Sequence, residues 1–273
     1  MDDTMERLPT VETSDADFEK DQVSFVTLES ISLGGRGDMS LFVPDGLPSM
    51  SNVPIVLLLH GVYGSHWSWF FKGGAHRTAL RLIQAGRIRP VVLVAPSDGL
   101  WKDGTAYIRH EEHRDYESWI CSDVLGYVRQ MLPCTGDPPI FIAGLSMGGY
   151  GALRLGAKRA PLFRGIAALS AITRLDEMND FVRAPFPAMD RKDHDILAWI
   201  QLNRERLPPI RIDCGREDPL VEGNRRFHRE LQQRHIAHDY CESPGKHPWE
   251  FWREHISDAL LFFEAIVAAS TAS

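Results

Sequence analysis

The sequence predicts an α/β protein built on a mostly parallel central sheet with helices on both faces. Apolar runs without polar alternation recur along the chain, which is what strands covered on both faces require. Helical stretches separate these runs, so strand and helix alternate from residue 54 to the end, as crossover connections demand. The length of 273 residues, with 44% apolar and 25% charged, is enough for one large core.

In chain order, residues 1–21 carry eight acids against Arg7 and Lys20 and few aromatics, and are expected to form an acidic flexible arm. Residues 22–273 are expected to be a single domain. Val23, Phe25, Thr27 and Glu29 run into Ile31, the glycine-rich Gly34-Gly-Arg-Gly37 and then Met39, Leu41 and Val43. That alternation predicts an antiparallel N-terminal hairpin. Pro54 to His60, Pro90 to Ala95, Ile140 to Ala143 and Ile166 to Leu169 then read as buried strands, with Ile210 to Cys214 and Asp239 to Glu242 as two more. Helices are predicted at 75–85, 116–131, 149–159, 222–234 and 248–267. The long irregular stretch 173–208 reads as an insertion and a candidate cap.

Several classes are excluded or disfavoured. The excess of acids over bases sits in the first 21 residues, so the body is nearly neutral and has no basic stripe for a phosphate backbone; nucleic acid is not an expected partner. No run of 18 apolar residues predicts a membrane span, and no basic and apolar leader opens the chain, so a cytoplasmic location is expected. Cys121, Cys134, Cys214 and Cys241 are far apart, without the CxxC pairing of zinc or redox sites, and read as reduced, buried thiols. In His110-Glu-Glu-His113 the histidines are three apart rather than four, between Arg109 and Arg114, so a solvated charged segment is the better reading than a metal site. No phosphate-cradling glycine loop follows a strand. Neither metal nor cofactor is expected.

The most informative segment is Ile140-Phe-Ile-Ala-Gly-Leu-Ser-Met-Gly-Gly-Tyr-Gly-Ala-Leu153. It places Gly144-x-Ser146-x-Gly148 directly after a buried-strand pattern and directly before a helical one. Glycine on both sides of the serine permits the sharp strand-to-helix turn that lifts a hydroxyl out of the sheet edge, which makes Ser146 the expected nucleophile. Ser170, at the end of the next strand, lacks that frame.

A serine hydroxyl is a weak nucleophile until a base takes its proton, and the base needs an acid to hold its tautomer. Downstream, Arg211-Ile-Asp-Cys-Gly-Arg-Glu-Asp-Pro-Leu220 is a strand running into a polar turn. Asp218 lies far enough past the strand to reach over the sheet edge, with Glu217 the nearest competitor and Asp213 better suited to a structural bond. Among eleven histidines, His247 alone sits in a loop between the last strand and the last helix, with Pro248 suited to the first helical position. It is the expected base. An oxyanion would be met by the backbone N–H of Met147 and one from His60-Gly-Val-Tyr-Gly64, with Val62 favoured and Tyr63 next. His60 reads as a loop-ordering residue. Tyr63, Trp67, Trp69, Trp101, Tyr107 and Trp249 fall near the sheet's carboxyl edge and are the expected substrate-binding aromatics, while Phe181, Pro185, Phe186 and Pro187 of the insertion are candidates to cover the cleft.

With these residues assembled, the chain resembles the esterase D-like branch of the α/β-hydrolases, related to S-formylglutathione hydrolases, feruloyl and acetyl-xylan esterases and mycolyltransferases. The segments that carry the resemblance are Leu57 to Trp69, Gly144 to Leu153, Asp213 to Asp218 and Gly245-Lys-His-Pro-Trp249 with Trp252. It implies an α/β-hydrolase fold and hydrolysis of a carboxylic ester through an acyl-enzyme, without cofactor. It also supports Asp218 and His247 as acid and base. The expected substrate is a small-molecule or carbohydrate ester of a short acyl group, probed against two alternatives: an acyltransferase or S-formylglutathione-type thioesterase on the same fold, and a non-catalytic ligand-binding protein. The acidic arm and the 173–208 insertion are not part of the resemblance.

Overall fold

A computed structural model describes residues 10–47, 52–99, 102–111, 114–132, 136–183 and 191–271. The strands are β1 (Val11–Thr13), β2 (Val23–Ser30), β3 (Gly35–Phe42), β4 (Ile55–Leu59), β5 (Val92–Pro96), a small ribbon β6 (Arg109–Glu111) and β7 (Arg114–Asp115), then β8 (Ile140–Leu145), β9 (Gly165–Leu169), β10 (Ile210–Gly215) and β11 (Asp239–Ser243). Nine of them form one sheet in the order β1-β2-β3-β5-β4-β8-β9-β10-β11. From β5 to β11 every pairing is parallel, while β1, β2 and β3 join antiparallel at one edge. The expected hairpin is therefore present, with its turn at residues 31–34.

The helices are α1 (Ser68–Phe71), α2 (Ala75–Gln84), α3 (Tyr116–Ser118), α4 (Leu125–Met131), α5 (Met147–Lys158), α6 (Arg191–His194), α7 (Ile196–Leu202), α8 (Val221–Gln233) and α9 (Trp249–Thr271). A π-helical stretch, Trp119–Val124, joins α3 to α4, so the helix expected over 116–131 is continuous but locally widened. Among the described residues no helix is long and apolar enough to cross a membrane.

The continuous apolar runs arise because the sheet is buried on both faces. Ile55, Leu57 and Leu59 of β4 pack into the core beneath α4, α5 and α8, whereas Val56 and Leu58 pack into the second core beneath α2 and α9. The same alternation splits Ile140 and Ile142 from Phe141 and Ala143 on β8. Both layers leave the carboxyl edges of β4, β8, β9 and β10 free to carry loops, and the chemistry gathers there.

Two expectations are corrected. Residues 10–21 are not a free arm: β1 pairs with β2, Ser14 N–H donates to Phe25 O at 2.9 Å, and Asp21 is held by Arg77 at 2.6 Å. Backbone pairing at an open sheet edge outweighs the local acidity, which is spread over solvent-facing positions. Residues 1–9 lie outside the described part. The cysteines are also not uniformly buried. Cys214 is, but Cys121 is half-buried and Cys241 is exposed because β11 is an edge strand; Cys134 lies outside the described residues.

Candidate active site

The segment after β8 makes a turn that only a tightly packed backbone allows. Ser146 sits at φ 53°, ψ −117°, a left-handed strain that the surroundings hold in place. Its N–H donates to Leu169 O at 3.0 Å and its carbonyl accepts from Ile172 N–H at 3.1 Å, so the end of β9 clamps the turn. A β-carbon at Gly144 would lie 2.0 Å from Gly148 O, and one at Gly148 would lie 2.2 Å from Leu59 O. The glycine frame read from the sequence is a steric requirement.

The expected acid and base arrive on two loops zipped together by hydrogen bonds. After β10, Arg216 N–H donates to Ser243 O and Glu217 N–H to Gly245 O at 3.0 Å, and Gly245 N–H returns a bond to the Glu217 carboxylate at 2.9 Å. This leaves Asp218 buried, its carboxylate accepting Leu220 N–H at 2.8 Å and facing His247. Nδ1 of His247 lies 2.8 Å from Asp218 Oδ2 and 3.0 Å from Oδ1. A carboxylate only accepts, so Nδ1 carries the proton. Nε2 is then a lone pair, and it lies 3.1 Å from Ser146 Oγ. The three residues chosen from the sequence thus form one hydrogen-bonded chain. Glu217, the alternative acid, is instead the clasp between the two loops.

The loop expected to supply an oxyanion donor lies against Ser146. Gly61 packs so close that a β-carbon there would lie 3.3 Å from Ser146 Cβ. Tyr63 N–H is committed to Asp103 O at 2.9 Å. The amides of Val62 and Met147 donate to no acceptor among the described residues, which leaves both free to meet a ligand oxygen. The buried His60 orders this loop: its Nδ1 meets Gly61 O at 2.8 Å, while Nε2 accepts Asp98 N–H at 3.1 Å, which places the proton on Nδ1. The Asp98 carboxylate in turn accepts Thr105 N–H at 2.9 Å.

The expected aromatic pocket is rearranged. Trp69 and Tyr107 are fully buried and cannot contact a substrate: the Trp69 indole donates to Leu59 O at 3.0 Å and the Tyr107 hydroxyl to His60 O at 3.1 Å. Both underpin the oxyanion loop, because a buried indole or phenol must find an acceptor and the loop carbonyls supply it. Burial also pushes the Tyr107 hydroxyl well above its ordinary pKa. Tyr63 and Trp67 are exposed, and Trp249 is half-buried against Trp69 and Trp252. Trp101 lies outside the described residues, as do Pro185, Phe186 and Pro187. The rings that do meet the base are Trp252, edge-on to His247 at 4.9 Å, and Phe181, nearly parallel to it at 6.3 Å. Trp252 was carried by the resemblance but not chosen as a site residue; its spacing of three from Trp249 at the start of a helix was the available signal.

Elsewhere, Asp213 has the structural role expected of it, gripped by Arg211 at 2.7 and 2.8 Å. His110 bonds Thr105 O at 2.9 Å, and Glu112 and His113 lie outside the described residues. A cavity of about 770 Å³ opens at the opposite edge of the sheet, between Pro54, Pro90, Pro139 and Ile266, and shares no residue with the triad.

A nine-stranded sheet with a serine on a strand-to-helix turn defines an α/β-hydrolase. Comparison with known proteins gives the branch: residues 30–263 match the model of the family described as putative esterase, and the chain belongs to that family, a group of carboxylic ester hydrolases. An acetyl esterase from Caldicellulosiruptor saccharolyticus is 29% identical over 229 residues, covering 76% of this chain and 82% of that one. Among solved structures, a ferulic acid esterase superposes with a TM-score of 0.78 at 23% identity, covering 94% of this chain and 98% of the other. An S-formylglutathione hydrolase from Staphylococcus aureus superposes with a TM-score of 0.73 at 18% identity, covering 93% and 98%. At such identities the structural matches speak for the fold.

Proposed function

We propose that this protein is a serine carboxylesterase that removes short acyl groups, acetyl foremost, from a small-molecule or carbohydrate alcohol through an acyl-enzyme. The observation that carries the reading is the unbroken chain from Ser146 Oγ through both nitrogens of His247 to Asp218. The acetyl esterase relative supports the acyl group.

In the first half-reaction Ser146 Oγ attacks the ester carbonyl carbon while His247 Nε2 takes the hydroxyl proton. Asp218 accepts the Nδ1 proton in a hydrogen bond throughout and stabilises the imidazolium, without itself being protonated. The carbonyl oxygen gains charge and is met by the N–H groups of Val62 and Met147; donors of this type are worth on the order of 10²–10³ in kcat each. His247 then gives its proton to the departing alcohol oxygen as the carbon–oxygen bond breaks. Water, deprotonated by the same nitrogen, attacks the acyl-Ser146, and the acid leaves as the hydroxyl proton returns to Oγ. The free thiols at Cys121, Cys214 and Cys241 support a reducing, cytoplasmic setting.

The test is release of 4-nitrophenol from its acetate, with and without an acceptor alcohol. Hydrolysis by the wild type and its loss in Ser146→Ala are expected. Acetyl transfer outpacing hydrolysis would make the protein a transferase, and wild-type turnover by Ser146→Ala would reject the mechanism.

A further inference from the structure

We propose that residues 181–183 are a fixed roof over the leaving-group side of the site, clasped to the oxyanion loop by Tyr63, and that Phe181 thereby sets the size of alcohol accepted. The proposal rests on the ester-hydrolysing reading above and adds a specificity determinant to it.

The roof begins at the nucleophile. Ile172 N–H donates to the carbonyl of Ser146, so the chain leaves β9 already tied to the elbow. Its next residues are pinned to α8 through one carboxylate: Glu177 accepts from Thr173 N–H at 2.8 Å and Arg174 N–H at 3.2 Å, and pairs with Arg226. Arg174 adds a second tie to α8 through Glu230 at 3.0 Å. A short 3-10 helix, Leu175–Asp180, then delivers Phe181, whose ring lies 22° from parallel with the imidazole of His247.

The far end is fastened to the opposite wall. The exposed Tyr63 hydroxyl donates to the carbonyl of Phe181, and Arg183 N–H donates to Asp103 Oδ2 at 2.7 Å. Asp103 is the residue whose carbonyl already holds Tyr63 N–H. Tyr63 sits at φ 57°, a left-handed conformation a bulky residue adopts only when its surroundings hold it there. An exposed phenol would ordinarily be free to turn in water. Here it spans 118 positions of sequence to bind a backbone carbonyl across the cleft. Ser146 itself is only 2% exposed.

Chemistry assigns the side of the site. The departing oxygen must come within hydrogen-bond reach of His247 Nε2 to receive its proton. The ring that lies alongside that imidazole, its centroid 6.3 Å away, therefore borders the alcohol rather than the acyl half of the ester. A phenyl ring in that position restricts the alcohol to groups that fit beneath it, and an apolar wall of this kind discriminates by roughly ten- to two-hundredfold.

The test holds the acyl group constant and varies the alcohol. Values of kcat/KM are measured for 4-nitrophenyl acetate and for the larger, two-ring 4-methylumbelliferyl acetate, in wild type, Phe181→Ala and Tyr63→Phe. In Phe181→Ala the ratio of large to small substrate is expected to rise about tenfold or more. Tyr63→Phe removes only the clasp, leaves the ring in place, and should move the ratio the same way by a smaller factor. A merely structural role for either side chain would lower both rates together and leave the ratio unmoved. An unchanged or falling ratio in Phe181→Ala, or no shift in Tyr63→Phe, overturns the proposal. If the wild type cleaves neither acetate, or Ser146→Ala cleaves both, the underlying esterase reading fails instead.

Discussion

Replacing Asp218 by Asn should disable the site by reversing one proton, and the structure dictates which way the amide will turn. Leu220 N–H donates to Oδ1 of Asp218 at 2.8 Å, so the Asn carbonyl oxygen must take that position. The amide nitrogen is then placed where Oδ2 lay, 2.8 Å from His247 Nδ1, and presents a donor to it. Nδ1 can satisfy that donor only as a lone pair, which moves the imidazole proton to Nε2, facing Ser146 Oγ. A base with its proton already in place cannot accept another. The loss in kcat for such a tautomer reversal is on the order of 10⁴, or about 5.5 kcal/mol of transition-state stabilisation. Volume and burial barely change, so the thermal midpoint should stay near that of the wild type. Steady-state hydrolysis of 4-nitrophenyl acetate reads the rate, and ¹⁵N-resolved NMR of the imidazole reads the tautomer. A variant within about tenfold of wild type, or one that keeps the proton on Nδ1, would refute the reasoning.

Other perturbations probe the scaffold. Gly148→Ala drives a β-carbon against the backbone oxygens of Leu59 and His60, at 2.2 and 2.6 Å, neither of which can yield; it should cost 3 kcal/mol or more, about the scale of severe strain, and be visible as a lower urea midpoint together with lost activity. Arg154→Ala removes a fully buried guanidinium that joins α5 to Glu117 at 3.0 Å and to the Asp193 carbonyl at 2.8 Å; about 3 kcal/mol should be lost on urea unfolding, with Lys158 and Arg159 still serving Glu117. Glu242, which the Arg225 guanidinium holds at a pKa of about 2 against an ordinary 4.5, should give an acid-dependent contribution. Its folded pKa is depressed, so its stabilisation is present above pH 4.5 and disappears as pH falls toward 2. Both partners are partly solvent-exposed, which trims the effect to about 1 kcal/mol. The Tm gap between wild type and Glu242→Gln should therefore be open at pH 7 and close across that window; a constant gap would contradict it.

The three residues of the proposed triad stood out in the sequence because each is announced by its immediate neighbours. Ser146 has glycine two residues to either side, Asp218 follows a strand that ends in a polar turn, and His247 precedes a proline at a helix start. Such local signals survive folding because they describe backbone turns, and the turns place the side chains at one sheet edge. The short pairing of Val11–Thr13 with β2 had no comparable signal: three residues within an acidic stretch acquire a strand only through a partner 13 to 17 positions away. The π-helical widening at Trp119–Val124 was equally silent, since a six-residue stretch is too short for apolar spacing to tell a wider turn from an α-helical one.

Aromatic residues mark the limit most clearly, because ring identity says nothing about ring direction. Trp67 and Trp69 lie two positions apart, yet one is exposed and the other fully buried with its indole spent on Leu59 O. On a helical turn, residues two apart point to nearly opposite sides, so no more than one of such a pair could line a cleft. Tyr107 likewise looked like a pocket wall and is instead the strut beneath His60. The ring that does flank the base edge-on, Trp252, follows Trp249 by three residues on α9, where the two stack face to edge at 5.3 Å and only the second reaches His247. Choosing among tryptophans therefore required the register of α9 against the acid and base loops. That register is set by long-range packing of Ile256, Leu260 and Phe263 into the second core, which no local pattern records.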